Sequence, residues 1–214
     1  MNEPRIFISM GTPYTEQQEQ FRDELEQFLR DRCSVNPRII GKNEYPEGNP
    51  LTKIRSSMAQ CHGVIVVAYE RKFLGAGYEK RSGPSPKELH NLAYTTPWNH
   101  IESAMAFTLG LPLYILCQRG LIEEGLIESK LDWYVQTIEI DKEELRKPQV
   151  ANSLSSWIDN RVRPLSKKPR FFRSIEGSIK ISDMTPNEIA GTIALMVGIF
   201  GAGAAAATFF PKLF

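Results

Sequence analysis

The chain has 214 residues, 42% of them hydrophobic, 24% charged and 10% aromatic, enough for one ordinary globular domain with an appendage and unlike a disordered or fibrous chain. Its three cysteines, Cys33, Cys61 and Cys117, are too scattered for a disulfide scaffold or structural zinc site, and each sits beside an apolar run as a small buried hydrophobe of a reducing compartment. The net charge of +1 hides a split between 18 basic and 22 acidic residues in 1–160 and 8 basic and 3 acidic in 161–214, and the acidic first part argues against nucleic-acid binding.

The opening Met1–Arg5 lacks the basic region of a secretory leader and runs straight into apolar sequence. Pro4–Met10 predicts a buried strand, ended by the turn signal Gly11-Thr12-Pro13. Thr15 opens a Thr-Glu-Gln-Gln capping box, and Phe21, Leu25, Phe28 and Leu29 then form one apolar helix face reaching about Asp31. Arg38–Ile40 is a short second strand. The turn-rich Asn43–Pro50 leads into a second helix with Leu51, Ile54 and Met58 inward. Gly63–Tyr69 is a continuous apolar run, the mark of a central parallel strand covered on both faces.

Residues 71–96 break the rhythm, with Gly75, Gly77, Gly83, Pro84 and Pro86 among scattered charges, and read as a long surface insertion. Thr96-Pro97 starts a third helix that carries Ile101, Met105 and Leu109 inward and stops at Gly110. Leu113–Cys117 and Val135–Ile140 are the fourth and fifth strands, and Val150, Leu154, Trp157 and Ile158 mark a closing helix. This alternation predicts an α/β, flavodoxin-like five-stranded parallel sheet with helices on both faces. Ligands of such sheets lie beyond the carboxyl ends of the strands. Those ends are Ser9–Thr12, Tyr69–Arg71 and the residues just before the third helix.

Beyond the domain, Ile189–Phe210 is 22 residues without a charge, long enough as a helix to span ~33 Å against a hydrocarbon core of ~30 Å. A basic stripe from Arg161 to Lys180 precedes it, orienting a span with that side cytoplasmic and attracting anionic lipid. The organisation expected is a domain over 1–160, a basic juxtamembrane linker over 161–186 and a transmembrane helix over 187–211, tail-anchored with the domain in the cytoplasm. Ala190, Ala194, Gly198, Ala202 and Ala206 recur every four residues, a small-residue face suited to self-association in the membrane.

Chemistry concentrates at the third helix. Trp98 and Glu102 lie four apart and are expected on one face beside the strand ends. A carboxylate there suits N-glycosidic cleavage, because it stabilises an oxocarbenium-like ribosyl centre or captures it, while the indole stacks on a base. The amides near Gly11 can cradle a phosphate, and Ser9 and Tyr69 are ribose or base contacts. His62, His90 and His100 lack metal-ligand spacing, so no metal is expected.

Arg5-Ile-Phe-Ile-Ser-Met10 resembles the first box of TIR domains, with Met10 where an aromatic is common. Pro46–Val67 resembles that family's loop, helix and third strand. Thr96-Pro-Trp-Asn-His-Ile-Glu102 is similar to its Ser-x-Trp-Cys-x-x-Glu signature, with Thr96 in the Ser place and Asn99 in the Cys place. The three boxes fall in order over roughly residues 4–140. The resemblance implies that Glu102 is catalytic for cleaving NAD into nicotinamide and an ADP-ribose product, that NAD is substrate with no separate cofactor, and that neighbouring domains complete the site. The substrate-binding set expected at the strand ends and the start of the third helix is Ser9, Met10, Gly11, Thr12, Tyr69 and Trp98. Glu102–Leu113 also resembles a segment of the related nucleoside 2-deoxyribosyltransferase fold, but Thr96 and Trp98 stand where that family's Asp and Gly are expected, which favours NAD. A non-catalytic TIR-like adaptor and a nucleotide-sensing effector that perturbs the membrane are the other readings.

Overall fold

A computed structural model describes residues 3–40, 42, 49–128 and 133–167. Strand β1 (Arg5–Met10) leads to helix α1 (Glu16–Gln27), which Thr15 caps by accepting from the Gln18 amide. Gln18 reaches back to the Tyr14 amide at 3.0 Å, one residue before the position a capping box uses. The helix loosens into a π-helical turn over Phe28–Arg32 before β2 (Asn36–Ile39). Next come α2 (Pro50–Met58), capped by Asn49, and β3 (Gly63–Ala68). A ribbon of β4 (Lys72–Glu79) and β5 (Lys87–Tyr94) precedes α3 (Pro97–Thr108). The chain continues through β6 (Leu113–Gln118), β7 (Tyr134–Ile138), α4 (Pro148–Trp157), a π-helical turn and α5 (Arg163–Lys167).

The sheet is parallel throughout, in the order β2-β1-β3-β6-β7. β3 is central and buried along its whole length, as its unbroken apolar run requires. One face carries Ile6, Ile8, Ile65, Val67 and Leu116 against Phe21, Leu25 and Leu29 of the first helical run and Val150, Leu154, Ile158 and Val162 of the last. The other face carries Phe7, Val64, Val66 and Ile115 against Ile54, Met58 and Ala106 of α2 and α3. Each fully buried Leu, Ile or Phe in these layers contributes about 1.5–3 kcal/mol. The three cysteines are buried within them. His62 accepts the Arg5 amide at 2.9 Å, tying the start of β1 to the turn before β3.

The structure corrects one expectation and refines two. Leu51 remains exposed, because the buried stripe of α2 begins one turn later at Ile54. Residues 71–96 carry an ordered ribbon: β4 and β5 pair antiparallel from Lys72↔Tyr94 to Glu79↔Lys87. Glycine and proline hid that pairing, since a ribbon exposed on both faces carries no apolar alternation. Finally, the last helix does not stop at 160. It runs on to Lys167, with Val162 fully buried in the core. The expected span over 187–211 and the basic residues beyond Lys167 lie outside the described residues. Among the described residues no helix is long and apolar enough to cross a membrane.

Candidate active site

In this strand order the chain passes from β2 on one side of β1 to β3 on the other, so the β1 and β3 carboxyl ends flank a topological switch point, the place where open α/β sheets bind ligands. α3 is aimed at it. Its start is set locally: the Thr96 hydroxyl accepts from the Trp98 amide at 3.3 Å, and Pro97 occupies the first helical position, where its missing N–H costs nothing.

The rotation of α3 about its axis differs from expectation. Its buried residues are Asn99, Glu102, Ser103 and Ala106, whereas Ile101 is 39% exposed. Met105 and Leu109 pack at the margin of the core. Three of the four buried residues are polar, so apolar periodicity cannot find this face. Its burial is possible because the polar atoms are paired. Asn99 Nδ2 donates to the Ser9 carbonyl oxygen at 3.1 Å and to Ser9 Oγ at 3.0 Å. The Thr95 hydroxyl donates to Asn99 Oδ1 at 2.7 Å, and the Ser103 hydroxyl to the Asn99 carbonyl at 2.6 Å.

Glu102 lies in the middle of this group, 7% exposed. Burial pushes its carboxyl up from 4.5 to about 7, opposed by a hydrogen bond from the Ser9 hydroxyl. No charged group among the described residues contributes to that shift. A carboxyl so placed is half ionised near neutrality, a condition common at catalytic sites. Trp98, one turn earlier, is 44% exposed. The expected single face is therefore divided: the carboxyl turns inward and the indole stays at the surface.

The remaining predicted residues separate into two groups. Ser9 is fully buried and accepts from Asn99 through both its carbonyl and its hydroxyl. Met10 does not join it. Successive side chains of a strand point to opposite faces, and Met10 packs against the core under α1. Tyr69 is also buried there, its hydroxyl donating to the Gly11 carbonyl, and burial pushes that phenol up to about 12. It is a neutral donor that fixes the loop rather than an open substrate contact. Gly11 is half-buried between the Thr96 methyl and the Tyr69 ring, and Thr12 is exposed, its carbonyl accepting from Arg71 at 3.3 Å.

Thr95, Ser103 and Tyr14 do not stand out in the sequence, Arg71 does so only as part of a strand end, and Asn99 only as a departure from a motif. Arg71 lies 5.5 Å above the Tyr14 ring, whose hydroxyl donates to the Glu70 carbonyl at 2.8 Å, so this cluster pins the loop after β1 to the end of β3. For Asn99 a signal existed: it is three residues before Glu102 on one helix and so shares its face. Among the described residues no group of three His, Cys, Asp or Glu side chains could hold a metal ion.

No family model and no curated protein matches the chain. Solved structures similar to it include a CMP N-glycosidase from Clostridium botulinum, 18% identical over 69% of this chain and 98% of that one, with a TM-score of 0.44. The apo form of an NADH:FMN oxidoreductase is 14% identical over 78% of this chain and 92% of that one, with a TM-score of 0.42. At these values neither neighbour's activity bears on this chain.

Proposed function

We propose that the chain is an N-glycosidase that cleaves NAD, with Glu102 as the working carboxylate. The observation that carries the reading is the position of Glu102: buried at the switch point, on the face of α3 that meets Ser9, where burial pushes its carboxyl up to about 7. As the bond from the anomeric carbon to the nicotinamide nitrogen breaks, its electron pair returns to the ring and discharges the pyridinium. The ribosyl carbon becomes cationic, and ionised Glu102 stabilises it or captures it. Water then adds at that carbon and loses a proton to Glu102 or solvent. The products are nicotinamide, ADP-ribose and a proton.

The solitude of Glu102 supports this substrate class. Hydrolysis at a neutral leaving group calls for a second carboxyl as general acid, and no other charge among the described residues couples to Glu102. Nicotinamide leaves from a cation and needs no acid. Trp98, exposed at the start of α3, is available to stack on the departing ring or on adenine. The proposal extends to attachment at a membrane through residues 187–211 and to activation by self-association. The test is incubation of the clustered full-length protein with NAD. Nicotinamide release that disappears in Glu102→Gln is expected; its absence from the parent, or equal rates in both, refutes the reading.

A further inference from the structure

We propose that the aromatic cleft at the amino-terminal ends of β6 and β7, at the opposite end of the sheet from Glu102, is a second binding site that takes a nucleoside monophosphate.

The cleft measures about 660 Å³, within the ~300–1,000 Å³ usual for ligand sites. Its floor is the turn Leu111–Leu113 that enters β6, and its walls are rings. Trp133 and Tyr134 are successive residues where β7 begins, so they leave the strand toward opposite faces. Trp133 meets Phe107 of α3 edge to face, with ring centres 5.9 Å apart, and Tyr134 stacks on Tyr114 at 5.1 Å. Tyr114 in turn lies 5.3 Å from the Trp157 ring. Two aromatic walls thus straddle the end of an edge strand. Their outer rings are open, Phe107 being 63% exposed and Tyr134 50%. The Trp133 indole is held in place by donating to the Leu126 carbonyl at 2.8 Å. Fixed rings with open faces stack on a planar ligand at little entropic cost.

Helix α4 and the turn after it bring polar groups between the walls. Val150, Leu154, Ile158 and Val162 bury one face in the core. Ser153, Ser156, Trp157 and Asn160 recur at i, i+3, i+4 and i+7 along a second face, which lines the cleft. Asn160 Nδ2 donates to Ser156 Oγ at 3.1 Å, and the Ser156 proton and Asn160 Oδ1 have no partner among the described residues. They suit the hydroxyls of a sugar. Arg161, the first cation of the basic stripe, stands at the rim and forms no ion pair among the described residues. The carboxylate nearest in sequence, Asp159, is taken by Arg163 at 2.7 Å. No residue lining the cleft is acidic.

An uncompensated guanidinium beside open rings selects an anion that carries a planar group. The base lies against the rings, the ribose against Ser156 and Asn160, and the phosphate on Arg161. A cationic ligand would find no carboxylate there. The cleft is also separate from the candidate active site. Phe107 stands five residues beyond Glu102 on α3, ~7.5 Å further along the axis, where the helix has reached the other end of the sheet.

The protein's three tryptophans are Trp98, Trp133 and Trp157, so in a Trp98→Phe background all indole emission comes from the cleft. The full-length chain in detergent is titrated with AMP, GMP, CMP and UMP, with the matching nucleosides and inorganic phosphate as controls. At least one mononucleotide should quench saturably in the micromolar range. Its nucleoside should bind at least ~10-fold more weakly, the scale of one charge-assisted contact, and phosphate should not quench. Calorimetry on variants then locates the site. Arg161→Met, which keeps the stem of an exposed side chain, should weaken binding about 10- to 100-fold. Trp133→Leu should weaken it about tenfold or more, and if it does not fold, Tyr134→Ser at an exposed position takes its place. Glu102→Gln should leave the affinity unchanged. Binding that Glu102→Gln removes and Arg161→Met does not belongs to the active site and overturns the proposal. Quenching by phosphatidylglycerol vesicles with none by any mononucleotide makes the cleft a lipid contact and overturns it as well. So does the absence of binding by every mononucleotide at millimolar concentration. None of these readouts requires NAD turnover, so the cleft stands or falls apart from the proposed function.

Discussion

Replacing Glu102 by Gln should make the protein more stable while abolishing its chemistry, and the stability gain should depend on pH. The folded state raises this carboxyl from 4.5 to about 7, so between those values the folded chain binds more protons than the unfolded one. Stability attributable to the group is therefore fully present below about pH 4.5 and is lost as pH rises through about 7. At about 1.4 kcal/mol per pKa unit the whole gap corresponds to about 3 kcal/mol, and because the group is 7% exposed little of this is screened. Glutamine keeps the size but cannot ionise. Urea unfolding of parent and Glu102→Gln at pH 5 and pH 8 should show the variant's advantage growing by about 2 kcal/mol, with most of the change between pH 5 and 7. Nicotinamide release should fall at least ~100-fold, as for loss of one electrostatic stabiliser at the reacting centre. An advantage that is the same at both pH values would refute the claim that Glu102 is charged and buried at neutrality.

Gly63→Ala should destabilise the fold by about 1–3 kcal/mol in chemical denaturation, because its Cβ would lie 2.9 Å from Val162 Cγ2 and 3.1 Å from the Trp157 ring. Gly11→Ala should change stability by less than about 0.5 kcal/mol, since there the nearest atoms stand at an ordinary 3.6 Å and 3.7 Å. Tyr69→Phe should cost about 1–2 kcal/mol in the same assay by leaving the Gly11 carbonyl without its buried donor. Full-length protein should sediment with membranes and resist carbonate and high salt. Release by salt would show that the basic residues, rather than a span, make the attachment.

Much of the scaffold was legible in the residues themselves. Gly63–Ala68 has a buried strand's composition wherever it is placed, and Phe21, Leu25, Phe28 and Leu29 define a face that any sheet would have to cover. Thr96-Pro97 starts a helix through contacts within its own first turn. These features depend on neighbours in sequence or on hydrophobicity alone, and periodicity reports both. Glu102 could be located by its spacing from Trp98. Its environment could not, because the rotation of α3 is decided by what the sheet offers opposite each face.

Ser9 supplies a carbonyl and a hydroxyl from β1, so a polar stripe of Asn99, Glu102 and Ser103 is buried in preference to Ile101, against the hydrophobic pattern. The same placement sends Met10, the very next residue, to the opposite core. The β4–β5 ribbon escaped notice for a related reason: its pairing is a relation between two exposed strands, neither of which is amphipathic alone. Local propensity and apolar period thus determined the sheet strands and the helices that cover them. Only the packing of α3 against the ends of β1 and β3 decided that Glu102 is buried, on the same face as Asn99, since burial is a property of partners distant in the chain.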